Sequence, residues 1–383
     1  MALKYGETPT GVGRVCASAA RRIGESRNGE AMQGSLERVR RVMNGQLPDR
    51  PPLFDLLPND AVLKHFNDGV PVEVGDDPAG ARAYPRAIDG SRTSALSPSE
   101  PRLEKTEDGR EVRVERWTTW HERVNYGSSE QYREAKQKRI AELQERVSRP
   151  IATSEDQWYR KHREVKSWFG DDFYYLLAPL HTSLMGIWEE VGLEAFSYYL
   201  YDCEDVMDEL LELHTEHACR WIEGLPADDP FEAAFIGDDI AFKGGPMVSV
   251  SWLEKHYFPR LARVVAALHA RGIKAMFHSD GNLNLIMDGL VGAGIDALNP
   301  IEVSAGMDLA DLHRRYPHLV FAGGIDVTNL LPFGKPQEIR DAVVKAVEDT
   351  EGKILVGSST EVFNIVPLAN FLAMREAAMG YAF

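Results

Sequence analysis

The sequence is poor in cysteine and contains no long apolar segment. Its three cysteines, Cys16, Cys203 and Cys219, form no close pair and no CxxC motif, so neither a disulfide framework nor a thiolate zinc knuckle is indicated. No segment approaches the roughly 20 apolar residues of a membrane span, and the first residues contain no apolar core of a secretory signal. We therefore expect a soluble, cytoplasmic protein without membrane contact.

Positive charge is also scarce, because 43 Lys and Arg residues stand against 59 Asp and Glu residues and give a formal net charge of -16 at pH 7. Such an excess of acid repels phosphate backbones and anionic lipid over most of the surface. The composition therefore excludes nucleic acid as an expected partner and favours a small-molecule substrate.

A repeated pattern of apolar strand, polar turn and amphipathic helix begins near residue 173 and is typical of parallel βα units. Strands are predicted at residues 173–178, 233–237, 274–278, 297–300, 319–322 and 354–357. Helices are predicted between and after them at residues 206–223, 251–271, 283–291, 308–316, 336–349 and 368–379. The 383 residues, 44% of them hydrophobic, suffice for one large elaborated domain.

One further strand at Leu53 and another in the irregular region after it bring the predicted total to eight. None of the predicted strands is followed by the GxGxxG turn that marks a dinucleotide crevice, which favours a closed barrel over an open sheet. The sequence therefore predicts an α/β fold, a (β/α)8 TIM barrel over residues 46–383.

Two segments depart from this pattern. Residues 1–45 are predicted to form an arm followed by a helix that starts near Ser35 and ends near Asn44. Residues from about 71 to 150 are predicted to be an insertion. Within it, the alternating stretch at residues 112–120 indicates a β-hairpin, and the charged residues 128–149 indicate a solvated helix rather than a basic binding face.

Polar and ionisable side chains follow nearly every predicted strand, at positions that converge on one mouth of a TIM barrel. The candidates are His181, Asp238, Asp239, His278, Asp280, Asn299, Glu302, Asp326, Ser359 and Glu361. Any single Asp or Ser at such a position is equally compatible with an N-cap for the following helix. Five loops that carry such groups in one direction favour an active site.

His278 is the leading candidate because it ends an apolar strand and Asp280 follows two residues later. A nearby carboxylate can orient an imidazole for proton transfer or join it as a metal ligand; the alternative is a structural histidine that supports the loop. Asp238 and Asp239 are adjacent, so on an extended chain at most one of them need face the mouth. Carboxylates further along the chain either hold a cation or lie in solvent.

The same loops resemble those of the uroporphyrinogen decarboxylase superfamily. The matching motifs occur in the family's order, from about residue 172 to 383 and loosely at 40–70. They are Gly237-Asp238-Asp239 with Gly245-Pro246 downstream, His278-Ser279-Asp280-Gly281-Asn282, Asn299-Pro300, Gly323-Gly324-Ile325-Asp326 and, more loosely, Ala178-Pro179-Leu180-His181-Thr182. The resemblance implies the barrel fold and a homodimer.

The resemblance also implies two activities, from both of which this sequence departs. Cofactor-free decarboxylases of the superfamily grip substrate carboxylates with an Arg-rich loop after the first strand, whereas residues 54–60 contain no Arg. Zinc-dependent methyltransferases, which exchange methyl groups with a corrinoid, carry cysteine ligands where this chain has Asp280 and Thr360. If zinc binds here, the resemblance implies a harder set of N and O ligands.

The leading hypothesis is a methyltransferase or O-demethylase that moves a methyl group from a small methoxylated aromatic or related compound. The acceptor would be a corrinoid (methylcobalamin), on a corrinoid protein as partner, or tetrahydrofolate. His278, Asp280 and Asp239 are the catalytic candidates, and His278, Asp280 and Glu361 the ligands of a possible zinc ion. Substrate contacts are expected from Asp238, His181, Asn299, Glu302, Asp326 and Ser359.

Two alternatives stay open. The first is a decarboxylase-like lyase that needs no cofactor, in which Arg82 or Arg86 of the insertion supplies the missing positive charge. The second is a tetrapyrrole-binding protein that performs no reaction.

Overall fold

The computed structural model describes residues 32–93, 95–106, 109–180 and 183–383, so most of the predicted N-terminal arm lies outside the described residues. Parallel strands form the centre, and we number the barrel strands from first to eighth in chain order. They comprise the bridge residues Leu53 and Phe54, then Gly90–Ser91, Tyr174–Tyr175 continued by Leu177–Leu180, Ala233–Gly237, Lys274–His278, Ala297–Ile301, Val320–Ile325 and Ile354–Ser358.

Parallel pairings join these segments in a cycle. The third to eighth strands form a regular six-stranded sheet in chain order. A bridge from Leu53 to Val356 links the first strand to the eighth, and a bridge from Phe54 to Gly90 links the first to the second. The second strand in turn pairs with the third. This connectivity is that of a (β/α)8 barrel and confirms the predicted fold class.

Alternation along the strands separates two apolar layers. In the fourth strand, Phe235 belongs to the cluster inside the barrel, whereas Ile236 belongs to the layer between the barrel and its helices. Val39 and Val42 of helix Ser35–Met43 join the inner cluster. This helix therefore covers the amino ends of the strands and leaves the carboxyl ends as the mouth.

Helices surround the strands. They are Ser35–Met43, Asp60–Phe66, Asp77–Ala87, Ser129–Val147, Gln157–Phe169, Leu184–Val191, Leu193–Asp202, Glu204–Glu223, Val250–Trp252, Phe258–Ala270, Met287–Gly292, Leu309–Arg315, Leu330–Phe333, Pro336–Asp349 and Leu368–Gly380, with 3-10 turns at Thr153–Glu155 and Val303–Ala305. Pro336–Asp349 has the predicted bounds, because Pro occupies the first turn and Glu338 accepts a hydrogen bond from the Lys335 amide at 2.7 Å. No helix among the described residues is both long and apolar enough to cross a bilayer.

The helix predicted over residues 251–271 is interrupted. A π-helical turn, Leu253–Tyr257, separates Val250–Trp252 from Phe258–Ala270. Pro259 lacks the N–H that would bond the carbonyl of residue 255 in a regular helix, which explains the break. The break positions Tyr257, whose hydroxyl donates to Asp238 at 3.0 Å.

The second barrel strand lies at Gly90–Ser91, within the irregular region where the sequence placed it. The predicted hairpin forms from Glu111–Val114 and Thr119–His121, and a third strand, Arg102–Lys105, extends it to a three-stranded antiparallel sheet. The bounds of the second barrel strand could not be predicted, because a two-residue strand of Gly and Ser has no hydrophobic periodicity.

Helix Ser129–Val147 forms where a solvated helix was predicted, but one side of it is buried. Tyr132, Ile140, Leu143 and Val147 are buried, and this spacing places them on one face, which packs against helix Glu204–Glu223. Lys136 is also buried and pairs with Glu190, whereas most other charged residues of the helix are exposed.

Candidate functional site

The register of the sheet determines which strand-end residues meet. His278, the last residue of the fifth strand, pairs with Gly237 of the fourth strand and with Asn299 of the sixth. Asp239 and Asp280 each lie two residues beyond a paired position. Their loops therefore come together at the mouth, as the sequence predicted.

His278 is buried and its ring orientation is fixed. Its Nδ1 lies 2.9 Å from the Oδ1 atom of Asn299, and because an amide oxygen only accepts, Nδ1 carries the proton. Burial, followed by the positive charge of Arg92, lowers the pKa of His278 to about 3. The imidazole is therefore neutral near pH 7, and its Nε2 lone pair points towards Asp239, whose Oδ1 is 3.7 Å away.

Asp239 and Asp280 complete a compact group with this histidine. One ligand atom from each of Asp239, His278 and Asp280 lies within 4.8 Å of the others. The Asp280 amide donates to Asp239 Oδ1 at 2.9 Å, which holds the two loops together. Burial, reinforced by the negative charges of Asp239 and Glu302, raises the pKa of Asp280 to about 7, and burial also raises the pKa of Asp239.

This group has the donors of a divalent-cation site. The Oδ1 atom of Asp280 is buried and has no hydrogen-bond partner among the described residues, although buried carboxylate oxygens are almost always bonded. A neutral imidazole nitrogen and two carboxylates are ligands that zinc accepts, and that harder divalent ions also accept. The residues present therefore fit a metal ion with N and O ligands.

Two glutamates line the same loops in different ways. Glu302 accepts hydrogen bonds from the Gly281 amide at 2.7 Å and from the Ser304 hydroxyl at 3.3 Å, so it supports the Asp280 loop. Glu361 contributes no atom to the compact group. It lies 3.6 Å from the guanidinium of Arg92, because its loop projects towards the second strand. Asp239 thus belongs to the compact group and Glu361 lies outside it, while Glu361 as a metal ligand stays a prediction.

Arg92, which directly follows the second strand, is a mouth residue that the sequence analysis missed. Its guanidinium carbon lies 4.2 Å from the centroid of the Phe235 ring. Phe235 also contacts the His278 ring, at 4.9 Å between centroids. Arg92 and His278 are thus placed around one aromatic side chain.

The predicted arginines lie elsewhere. Arg82 is exposed, and Arg86 is half exposed and forms an ion pair with Asp68 at 2.8 Å. Neither arginine brings a positive charge to the mouth, because both lie on helix Asp77–Ala87, outside the barrel strands. The only available signal for Arg92 was the apolar Ala87-Ile88 preceding Asp89, which is too short to predict a strand.

Asp55, after the first strand, was also missed. It is buried and accepts hydrogen bonds from the Ser358 amide at 2.6 Å and the Ser358 hydroxyl at 2.9 Å. Burial raises its pKa to about 7 despite these bonds, with a further contribution from Glu361. Asp55 therefore connects the first and eighth strands at the mouth.

Three predicted substrate contacts have their side chains occupied by the protein itself. Asp238 accepts bonds from the Leu184 amide and the Tyr257 hydroxyl, at 3.2 and 3.0 Å. Asp326 accepts from backbone amides of its own turn, and Ser359 accepts from the Val327 amide at 3.1 Å. These residues position loops, as N-cap and turn residues do. His181 lies outside the described residues.

The fold and this mouth define a (β/α)8-barrel protein with a partly buried, ionisable site, the arrangement of barrel enzymes. Residues 180–381 match the family model described as "Uroporphyrinogen decarboxylase (URO-D)". The match covers more than half of the chain, and the chain belongs to this family.

Two individual proteins are also similar to this chain. The chain is similar to a methylcobamide:CoM methyltransferase, MtbA, of Methanosarcina mazei, with 20% identity over 208 residues, which is 54% of this chain and 59% of the relative. The chain thus spans less than two thirds of that relative's length. A solved methyltransferase from Methanosarcina mazei superposes with a TM-score of 0.60 over 90% of this chain and 98% of its own, at 14% identity. That likeness supports the fold alone.

Proposed function

We propose that the protein is a methyltransferase that removes a methyl group from a small O-methylated compound and passes it to a corrinoid or tetrahydrofolate acceptor. The observation that carries the proposal is the group of Asp239, His278 and Asp280, with ligand atoms within 4.8 Å of one another. Membership of the URO-D family and the similarity to a methylcobamide methyltransferase support it. A corrinoid protein is the corresponding partner; cytoplasmic location and a homodimer remain predictions from the sequence.

The three residues would hold a divalent ion through one nitrogen and two oxygens. When bound, such an ion withdraws electron density from an ether oxygen and makes that oxygen a better leaving group. In the transfer the bond between methyl carbon and oxygen breaks, the electron pair stays on oxygen, and a proton from solvent completes the hydroxyl product. The methyl group passes to the nucleophilic atom of the acceptor.

The remaining residues of the mouth keep this group in position. Asn299 fixes the ring of His278, so that Nε2 faces the site. Glu302 holds the Gly281 amide and with it the loop that carries Asp280. Phe235 is buried beneath the His278 ring and excludes water from that side.

The test combines elemental analysis with a transfer assay. We expect about one zinc or other divalent ion per chain in the purified protein, lost in His278→Ala and Asp280→Ala and retained in His269→Ala, a matched control because His269 is an exposed histidine paired with Asp296. Incubation with methoxylated aromatics and a reduced corrinoid should produce methylcobalt absorbance. A metal-free wild-type protein with no turnover across a broad panel would reject the proposal.

One observation favours a second candidate, a decarboxylase-like lyase. Arg92 places a guanidinium in the mouth, which is the group that a lyase of this family would need to hold a substrate carboxylate. Release of carbon dioxide from a carboxylated substrate in the presence of a metal chelator would support this candidate against methyl transfer.

A further inference from the structure

The guanidinium of Arg92 is enclosed by the mouth but is not satisfied by it. The side chain is 15% exposed. Its Nε is buried without a hydrogen-bond partner among the described residues, and its nearest carboxylate, Glu361, lies at 3.6 Å, beyond hydrogen-bond distance. Phe235 supports one face of the guanidinium plane. Among the described residues, Arg92 thus has a buried Nε donor without an acceptor, on a guanidinium whose plane Phe235 orients.

A guanidinium with an unpaired buried donor is costly. A buried donor without a partner has lost its hydrogen bonds to water and gained none in return, and the loss is larger for a charged group. Proteins retain such an arrangement where a ligand supplies the missing acceptors, and the planar fork of Arg matches a carboxylate bidentately. Stacking on Phe235 holds the fork in one plane, which lowers the entropy lost when an anion binds.

The location of Arg92 specifies which part of a ligand it would hold. Arg92 and His278 contact the same Phe235 ring, so a small molecule that reaches the Asp239, His278 and Asp280 group passes beside Arg92. An anionic group on that molecule, a short distance from its reacting oxygen, would meet the guanidinium.

We infer that Arg92 is the anion-binding residue of the mouth, and that the substrate is a methoxylated compound that also carries a carboxylate. The methoxy part of this statement rests on the proposed function; the carboxylate part rests on Arg92 alone. The competing explanation is that Arg92 only balances the charge of Asp55, Asp239, Asp280 and Glu361, whose fields it experiences.

Binding of two probes of equal shape separates these explanations. Calorimetry would compare methoxybenzoate with the neutral methoxybenzamide on wild-type protein and on Arg92→Gln, Arg92→Lys and Arg86→Gln, the last being an exposed arginine as control. A charged hydrogen bond contributes about 1.5–3 kcal/mol, so we expect wild type to bind the carboxylate about 10- to 100-fold more tightly than the amide. Arg92→Gln should abolish this preference, Arg92→Lys should reduce it, and Arg86→Gln should leave it unchanged.

Equal affinity of wild type for both probes, or a preference that survives in Arg92→Gln, would overturn the inference. If Arg92→Gln does not fold, Arg92→Lys decides, because a merely balancing charge would leave the preference of that variant intact. Parallel transfer assays keep the two proposals apart. Methyl transfer without a preference for the carboxylate probe would reject the role of Arg92 and keep the proposed function. A preference for the carboxylate probe without methyl transfer would keep the role of Arg92 and reject the proposed function.

Discussion

The second barrel strand has a charged residue at each end, and the two ends differ in how the charges are neutralised. Asp89, which precedes the strand, is buried and accepts hydrogen bonds from Arg38, from both terminal nitrogens of Arg50 and from the Leu53 amide, at 2.8 to 2.9 Å. Burial alone would raise the pKa of Asp89, but the bonds and charges of its arginines outweigh burial and hold that pKa below its usual value. For Arg92, which follows the strand, Nε has no hydrogen-bond partner among the described residues, and the carboxylate of Glu361 lies 3.6 Å away.

The same difference extends to the carboxylates around the two ends. Near Asp89 the partners are matched, and Asp49 also has a lowered pKa because of Arg38. At the mouth, Asp280 and Asp239 have raised pKa values because burial and neighbouring acids outweigh the single positive charge of Arg92. Matched charges at the amino ends of the strands stabilise the barrel, whereas unmatched charges at the carboxyl ends are available to a ligand.

The largest expected effect separates the two ends by stability. Asp89→Asn should lower the free energy of unfolding by about 3–5 kcal/mol, because Arg50 loses its buried counter-charge and Arg38 keeps only Asp49. Asp280→Asn should change it by less than about 1 kcal/mol or raise it, because the variant loses repulsion from Asp239 and Glu302. Urea unfolding of both variants near neutral pH measures the difference. Equal losses would remove the distinction between the two ends.

The next effect is the sign of the pH dependence. Burial raises the pKa of Asp55 to about 7, so the folded state holds a proton that the unfolded state releases, and wild type loses stability as pH rises from about 4 to about 7. Asp55→Asn lacks this loss, so its stability relative to wild type should improve over that interval, by at most about 4 kcal/mol at 1.36 kcal/mol per pKa unit.

Asp89→Asn is the matched control for Asp55→Asn because its pKa shift has the opposite direction. The lowered pKa of Asp89 means that its contribution is present at neutral pH and is lost as pH falls. The deficit of Asp89→Asn should therefore grow with rising pH only below about pH 4 and stay constant from about pH 4 to 7, the interval over which the relative stability of Asp55→Asn improves. Urea unfolding at several pH values measures both, and slopes of the same sign would contradict the assignment.

The sequence was sufficient for the side of the barrel with regular strands. The fourth and fifth strands, Ala233–Gly237 and Lys274–His278, have the predicted bounds, because each is an uninterrupted apolar run that ends in a polar turn. Once these strands are adjacent and in register, Asp239 and Asp280 must lie near His278. The three residues could therefore be grouped before any coordinates.

The other side of the mouth could not be predicted in this way. Gly90–Ser91 is too short to show a period, so Arg92 could not be recognised as a strand-end residue. Whether an acid after a strand faces the mouth depends on the direction of its side chain, which differs between adjacent residues. Asp239 faces His278, whereas Asp238 accepts hydrogen bonds from the amide at the start of helix Leu184–Val191 and from the Tyr257 hydroxyl. These side-chain directions depend on packing between segments that are far apart in the chain. The local hydrophobic pattern of the sequence does not contain that information.

The smallest expected effect tests whether the mouth depends on a supporting residue. The side-chain oxygen of Asn299 accepts the Nδ1 proton of His278 at 2.9 Å and so supports the compact group from outside. Asn299→Ala removes that acceptor, allows the other tautomer and blocks Nε2 with a proton. We expect zinc affinity, measured by competition with a chelating dye, to fall about 10- to 100-fold.

Asn299→Asp is the variant that distinguishes support from packing. It keeps an acceptor for Nδ1–H, so its zinc affinity should stay within a few-fold of wild type, while Ser359→Ala, which removes a bond to the Val327 amide on another loop, should leave the affinity unchanged. If Asn299→Ala and Asn299→Asp weakened zinc binding equally, the tautomer of His278 would not control the affinity. The bond between Asn299 and His278 would then serve only the packing of the barrel. If zinc binding is weakened only in Asn299→Ala, the two ends of the barrel differ in kind. At the mouth, one hydrogen bond to His278 controls the affinity for a ligand, whereas the hydrogen bonds at the amino ends stabilise the fold.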